Sequence, residues 1–200
     1  HIGSQIFEKE SFGLAADKML AFMSEMKTAH GFEARTLNLG GGYGIWYSDG
    51  DARYSVSDYT GYLKTVIAEV KCKAREYGVR EPFLLVEPGR SIVGEAGVTL
   101  YTVGTIKEIP GVKKYVAVDG GMFDNPRYAL YQAKYTALLA NRATEKPCEV
   151  VTVAGKCCES GDLVCANVSL PKAETGDILA VLSTGAYNYS MASNYNRNPV

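Results

Sequence analysis

The sequence predicts an α/β fold that changes character part-way along, and three observations carry this. Amphipathic helical stretches alternate with short apolar strands over roughly the first 93 residues. Each of those strands runs straight into a glycine-rich or charged turn, as the strands of α/β proteins do. Beyond that point, segments rich in Val, Thr and Tyr follow one another with little amphipathic helix between them, which reads as a β domain. The expected division is residues 1–95 for the α/β part and 96–200 for the sheet part.

In chain order, Leu14 to Ala29 carries Ala15, Met19, Phe22, Met23 and Met26 at helical spacing, with Gly31 as the C-terminal cap. Arg35 to Leu39 is a strand entering Gly40-Gly41-Gly42. Tyr47 to Ser55 is polar, with an Asp49-Gly50 turn. Ser55 and Asp58 are spaced as a capping box for a second helix, whose stripe is Tyr59, Leu63, Val66, Ile67, Val70, Ala74 and Tyr77 and whose stop is Gly78. Phe83 to Val86 is a continuous apolar run of the kind buried on both faces in a parallel sheet. It ends in Glu87-Pro88-Gly89-Arg90.

In the second half, strands are expected at Val98–Ile106, Lys114–Val118, Val150–Val153 and Ile178–Leu182, with a short helix over Tyr128–Ala133. Turns are expected at Asp119-Gly120-Gly121 and Glu174–Asp177. The first half offers three strand units at most, and a closed β/α barrel requires eight. The expectation is an incomplete fold, part of a larger one.

Composition narrows the function classes. A net charge of −1 gives no electrostatic case for nucleic acid or an anionic membrane. No apolar run approaches a membrane span, and the opening has no signal-peptide pattern. The five cysteines have no C-x-x-C spacing, so no metal is expected, and free thiols in a cytoplasmic setting fit better than a disulfide framework.

The glycine turn carries the first chemical signal. Without Cβ atoms the chain can take positive φ and gather N–H groups around an anion such as phosphate; the plain alternative is a flexible turn. Four further groups stand beside it: His1 with Ser4, Glu87 with Arg90, Cys158 with Glu159, and Tyr187. Each has an ordinary structural reading as well, from surface histidine to strand-end ion pair, buried small thiol and core tyrosine.

Taken together these motifs resemble one family. His-Ile-Gly-Ser-Gln, the triple glycine, Glu-Pro-Gly-Arg, Asp124-Asn125-Pro126-Arg127 with Leu130-Tyr131, Cys158-Glu159-Ser160 and Gly185-Ala186-Tyr187 occur in one order over nearly the whole chain. The pattern is similar to that of the pyridoxal-phosphate decarboxylases of the alanine-racemase-like fold, and among them to the diaminopimelate decarboxylases. The resemblance implies the C-terminal part of a cofactor-binding β/α barrel followed by a mostly β domain. It implies pyridoxal 5'-phosphate as cofactor, meso-diaminopimelate as substrate, L-lysine and carbon dioxide as products, and a homodimer with shared active sites.

The resemblance also assigns roles. His1 would stack on the cofactor ring. Ser4 and the amides of Gly40, Gly41 and Gly42 would hold its phosphate. Glu87 would pair with the pyridine nitrogen and keep it protonated, which makes the ring a strong electron sink. Arg90 and Tyr187 would complete the grip on phosphate or substrate. Cys158 would return the proton after carbon dioxide leaves. Arg127 and Tyr131 would bind the distal carboxylate, where a guanidinium can pair bidentately, and Glu159 would meet the distal ammonium.

Three departures accompany this. The Schiff-base lysine of relatives lies N-terminal to the histidine motif, in a region this chain lacks, so the chain alone is expected to be inactive. Tyr128 stands where relatives carry proline, and Cys157 has no assigned role. Relatives' last strands lie beyond Val200. The readings left open are a decarboxylase of the same fold acting on ornithine, arginine or a carboxylated polyamine, a non-catalytic relative that binds a partner, and a phosphate-binding barrel enzyme without pyridoxal.

Overall fold

The structure, a computed structural model, describes residues 1–199. It forms two compact units. The first comprises His1–Ile45 and Ala52–Ser91; the second comprises Trp46–Asp51 and the chain from Ile92 onward.

The first unit is built on helices α1 (Glu10–His30) and α2 (Val56–Glu76) and strands β1 (Thr36–Asn38) and β2 (Phe83–Leu85). β1 and β2 pair in parallel with Leu37 opposite Leu84, so α2 is the crossover of a βαβ unit. Ser55 caps α2 as the spacing predicts: its Oγ accepts from the Asp58 N–H, and the Asp58 carboxylate accepts from the Ser55 N–H at 2.7 Å. Gly31 ends α1 in the left-handed region at φ +63°.

The core of this unit joins Phe12, Leu20, Leu37, Leu39, Tyr43, Tyr62, Val66 and Val70. The rings of Phe12 and Tyr43 stack at 5.1 Å, and Tyr62 meets both edge-on.

The second unit is mostly sheet. Its strands are β3 (Thr99–Ile109), β4 (Lys113–Val118), β5 (Ala137–Leu139), β6 (Glu149–Ala154), β7 (Leu163–Leu170) and β8 (Ile178–Val181). They pair in the order β5-β8-β3-β4-β6-β7, all antiparallel except β4 with β6. The two end strands, β5 and β7, come into contact, so the sheet curls until it is nearly closed. Val103, Val116, Val151, Val153, Val164 and Leu179 fill its interior. Two short helices interrupt the chain: α3 (Arg90–Val93) follows β2, and α4 (Arg127–Tyr131) follows β4.

Several expectations differ from what forms. α1 buries Phe12, Ala16, Leu20 and Met23, the stripe that faces α2, while Met19 and Phe22 of the expected stripe are exposed. This helix carries two apolar stripes, and periodicity alone does not say which one a neighbour covers. Likewise α2 buries Tyr62, and Ile67 points outward.

β2 is not buried on both faces: Phe83 is 74% exposed and Leu85 51%, because α2 covers one side only. Among the described residues the first unit has two strands and one isolated bridge, Ile6 with Tyr43, within the limit of three strand units expected. β5 and β7 were not expected. β5 is only three residues long, and β7 carries Asn167 at φ +55°, which breaks its alternation. α4 stops at Tyr131 because Gln132 takes φ +51°.

Candidate active site

Because β1 and β2 are parallel, their C-terminal ends lie side by side, and the turns after them meet. The Leu39 N–H donates to the Leu85 carbonyl at 3.2 Å and the Glu87 N–H to the Gly40 carbonyl at 2.8 Å. The opening segment runs alongside the same turn, with Ile6 N–H donating to Gly42 O at 2.8 Å and Gly44 N–H to Ile6 O at 3.0 Å.

Three backbones therefore crowd around the glycines. A Cβ on Gly41 would stand 2.1 Å from the Glu87 carbonyl oxygen, and one on Gly42 would stand 2.1 Å from that of Gly3. Gly42 also sits at φ +97°. No other residue fits either position without moving backbone.

This crowding brings His1, Ser4, Gly40–Gly42, Glu87 and Arg90 to one end of the strand pair. Gly40 lies directly against His1, since a Cβ there would come within 2.7 Å of the His1 Cα. The Arg90 guanidinium, 8% exposed, donates from Nη2 to Ser4 Oγ at 2.7 Å. Asn38 Nδ2 donates to Glu87 Oε1 at 2.7 Å, and Asn38 Oδ1 accepts the Gly40 N–H at 2.8 Å.

Asn38 is a site residue that the sequence reading missed; its only signal is an Asn at a strand end directly before a glycine turn. It also takes the Gly40 amide, so that N–H is engaged within the turn itself. The donors suit a phosphorylated pyridine: a buried guanidinium with a hydroxyl for the dianion, and a braced carboxylate for a protonated ring nitrogen.

The second unit holds the other expected residues. Cys157, Cys158 and Glu159 occupy a loop between β6 and β7 that is organised by Asp162. The Asp162 carboxylate, 3% exposed, accepts from Met122 N–H at 2.6 Å and Cys157 N–H at 2.7 Å, and the Gly155 N–H donates to Asp162 O at 2.8 Å. Asp162 thus ties this loop to the Gly120-Gly121 turn. The sequence reading passed over it, because a Gly-Asp pair reads as an ordinary turn. Cys158 is exposed and Cys157 half-buried; burial first, then the nearby Asp162 charge, push the Cys157 thiol above its ordinary range.

Glu159 Oε2 accepts from Tyr195 Oη at 3.0 Å, and Oε1 accepts from Gly161 N–H and Ser160 Oγ, both at 3.3 Å. The Gly161 amide first, then the Tyr195 and Ser160 hydroxyls, hold this carboxyl below the usual range.

Arg127 is buried between two rings, its guanidinium 5.1 Å from the centre of Tyr47 and 5.7 Å from that of Tyr135, and it donates to Tyr135 Oη at 2.7 Å. Tyr131, four residues along α4, is 64% exposed. Tyr187 is 44% exposed at φ +66°, after a Gly185 whose Cβ would stand 1.9 Å from the Val93 carbonyl oxygen. Tyr101 donates to Asp124, whose carboxyl is raised, chiefly by burial.

Among the described residues no group of three or more His, Cys, Asp or Glu side chains could hold a metal, and no helix is long and apolar enough to cross a membrane.

Comparison with known proteins identifies the family. Residues 16–185 match the family described as pyridoxal-dependent decarboxylase, C-terminal sheet domain. The diaminopimelate decarboxylase of Bacillus subtilis (strain 168) is 53% identical over 199 residues, covering 100% of this chain and 45% of that protein. A crystal structure of diaminopimelate decarboxylase from M. jannaschii in co-complex with L-lysine superposes with TM-score 0.83 at 39% identity, covering 98% of this chain and 43% of the other. That from Helicobacter pylori, complexed with L-lysine, gives 0.79 at 33%, covering 98% and 45%. The chain spans about 45% of the length of the curated relatives it matches. On the strength of that match, the chain belongs to the pyridoxal-dependent decarboxylase family.

Proposed function

We propose that the full-length protein carrying this chain decarboxylates meso-2,6-diaminopimelate to L-lysine and carbon dioxide, as a cytoplasmic homodimer with shared active sites. Residues 1–95 would supply part of a cofactor-binding barrel and residues 96–200 the β domain. The observation that carries the reading is the meeting of Ser4, Arg90, the glycine turn, His1 and Glu87 at the ends of β1 and β2. The relatives at 53% identity are diaminopimelate decarboxylases, which supports this substrate.

Pyridoxal 5'-phosphate, when bound, accepts the electron pair left behind by the departing carboxylate. Ser4, Arg90 and the amides of Gly41 and Gly42 would hold its phosphate, and Glu87, fixed by Asn38, would keep the ring nitrogen protonated. His1 would cover the ring face, and Tyr187 would contact cofactor and substrate. Arg90 would also face the substrate. Arg127, pinned between Tyr47 and Tyr135, and Tyr131 would take the distal carboxylate. Glu159 would take the distal ammonium. Cys158 would deliver a proton to the carbon that lost carbon dioxide, a task suited to a thiol near neutral pH.

The test is a substrate panel on the full-length protein loaded with pyridoxal phosphate. Lysine released from meso-diaminopimelate, with ornithine and arginine turned over far more slowly, is the expected result. Faster turnover of ornithine or arginine, which lack the distal carboxylate, would overturn the substrate assignment.

A further inference from the structure

We propose that Tyr195 is a positioning residue that sets Glu159 for the distal ammonium of the substrate. The inference rests on the reading of Glu159 as the ammonium-binding residue and adds a partner to it.

The segment after Tyr189 turns back over the Cys157–Glu159 loop. Ser193 N–H donates to Phe123 O at 2.8 Å, and Asn198 Nδ2 approaches Cys157 Sγ at 3.7 Å. Between these anchors Asn196 and Arg197 both take positive φ, 52° and 60°. Consecutive left-handed non-glycine residues are uncommon and hold only where their surroundings fix them. The result is a tight turn that presents Tyr195 Oη to Glu159 Oε2 at 3.0 Å.

The consequence is orientational. Oε1 is engaged by neighbours within the loop itself, Ser160 and Gly161, whereas the hydroxyl on Oε2 comes from 36 residues away. An exposed glutamate on a loop has three rotatable bonds to fix before it can meet a cation. Tyr195 removes that freedom from outside, while Asp162 secures the loop from inside.

The groups facing Glu159 are the Tyr195 and Ser160 hydroxyls and the Gly161 and Ser160 amides, with the Cys157 and Cys158 thiols beside Tyr195. All four donors favour the ionised carboxylate.

The experiment compares Tyr195→Phe and Glu159→Gln in the full-length protein loaded with pyridoxal phosphate. With Tyr195→Phe, KM for meso-diaminopimelate should rise about three- to tenfold, as expected for losing one hydrogen bond to a charged group at an exposed site, while kcat changes little. The acid limb of kcat/KM should move to higher pH, because the carboxyl loses a donor that favoured its ionised form. Competitive inhibition by 2-aminopimelate, which lacks the distal ammonium, should be unchanged.

If Glu159→Gln raises KM and Tyr195→Phe matches wild type, the role of Tyr195 is refuted and that of Glu159 stands. If Glu159→Gln leaves KM unchanged, the ammonium reading falls and the inference with it. A Tyr195→Phe protein that loses kcat and stability together, with the acid limb in place, would mark Tyr195 as a packing residue only and overturn the proposal.

Discussion

The two units fix their functional side chains by different physical means. In the first, backbones approach so closely that side chains are excluded: Gly41 against the Glu87 carbonyl, Gly42 against that of Gly3. In the second, buried carboxylates collect amide N–H groups and pull loops together. Asp162 joins the cysteine loop to the Met122 turn, and Asp177 joins the Glu174 turn to Asn141 and Arg142. Close backbone approach tolerates no added atom. The Asp162 clamp is just as tight at Gly155 and Gly121, where a Cβ would stand 2.2 and 2.7 Å from the carboxylate, and it also cannot lose its own charge or acceptors. The two devices therefore differ in how they can fail: close backbone approach fails through overpacking, and the clamp fails through unmet donors as well.

The largest effect is expected on chemistry alone. Cys158→Ala in the full-length protein should cut turnover by about 10²- to 10⁴-fold, the usual range for a positioned proton donor, while the absorbance of bound pyridoxal phosphate persists. Equal loss of cofactor would show that the exposed thiol serves structure instead.

Gly42→Ala tests the first unit. A left-handed conformation costs about 1–2 kcal/mol for a residue with a Cβ, and overpacking adds about 1–3 kcal/mol, so denaturant unfolding should fall by about 2–5 kcal/mol. A melt like that of wild type would break the account of backbone crowding.

Asp162→Ala tests the second unit. It leaves two buried N–H donors unmet, at about 1–3 kcal/mol each, so a loss of about 2–6 kcal/mol is expected from the same measurement. Asp162→Asn, which keeps one acceptor, should lose less.

The smallest effect is a slope. Burial alone would raise the Asp177 carboxyl, but Asn141, the Glu174 amide and Arg142 outweigh it and hold it below the usual range. A depressed folded-state pKa contributes stability above the ordinary carboxylate value, and that stability is lost as pH falls through the folded value. Asp177→Asn should therefore flatten the decline of stability in acid, measured by melts at descending pH. An unchanged acid slope would show that the clamp does not depend on ionisation.

Much of the fold could be read from residue patterns, and the failures are instructive. The Ser55–Asp58 cap, the Gly31 stop and the strand entering Gly40 are local signals, because turn and cap chemistry depends on neighbours in sequence. The buried face of α1 was misjudged, since Leu14, Met19 and Phe22 are as apolar as the residues that α2 covers. β5 escaped because pairing across 40 or more residues gives a three-residue segment its strand identity, and β7 because Asn167 at positive φ breaks its alternation.

The motif residues of the site were visible, but their supports were not. Asn38, Asp162 and Tyr195 act across distances of 49, 40 and 36 residues, and each has an unremarkable sequence context.

The central claim is that Ser4, Arg90 and the Gly41–Gly42 turn hold a phosphate. The direct measurement is the affinity of the full-length protein for pyridoxal phosphate relative to pyridoxal, by absorbance titration, in wild type and in Gly42→Ala. A strong preference for the phosphorylated form that collapses in the variant is the predicted result. The same preference in both proteins would contradict the claim.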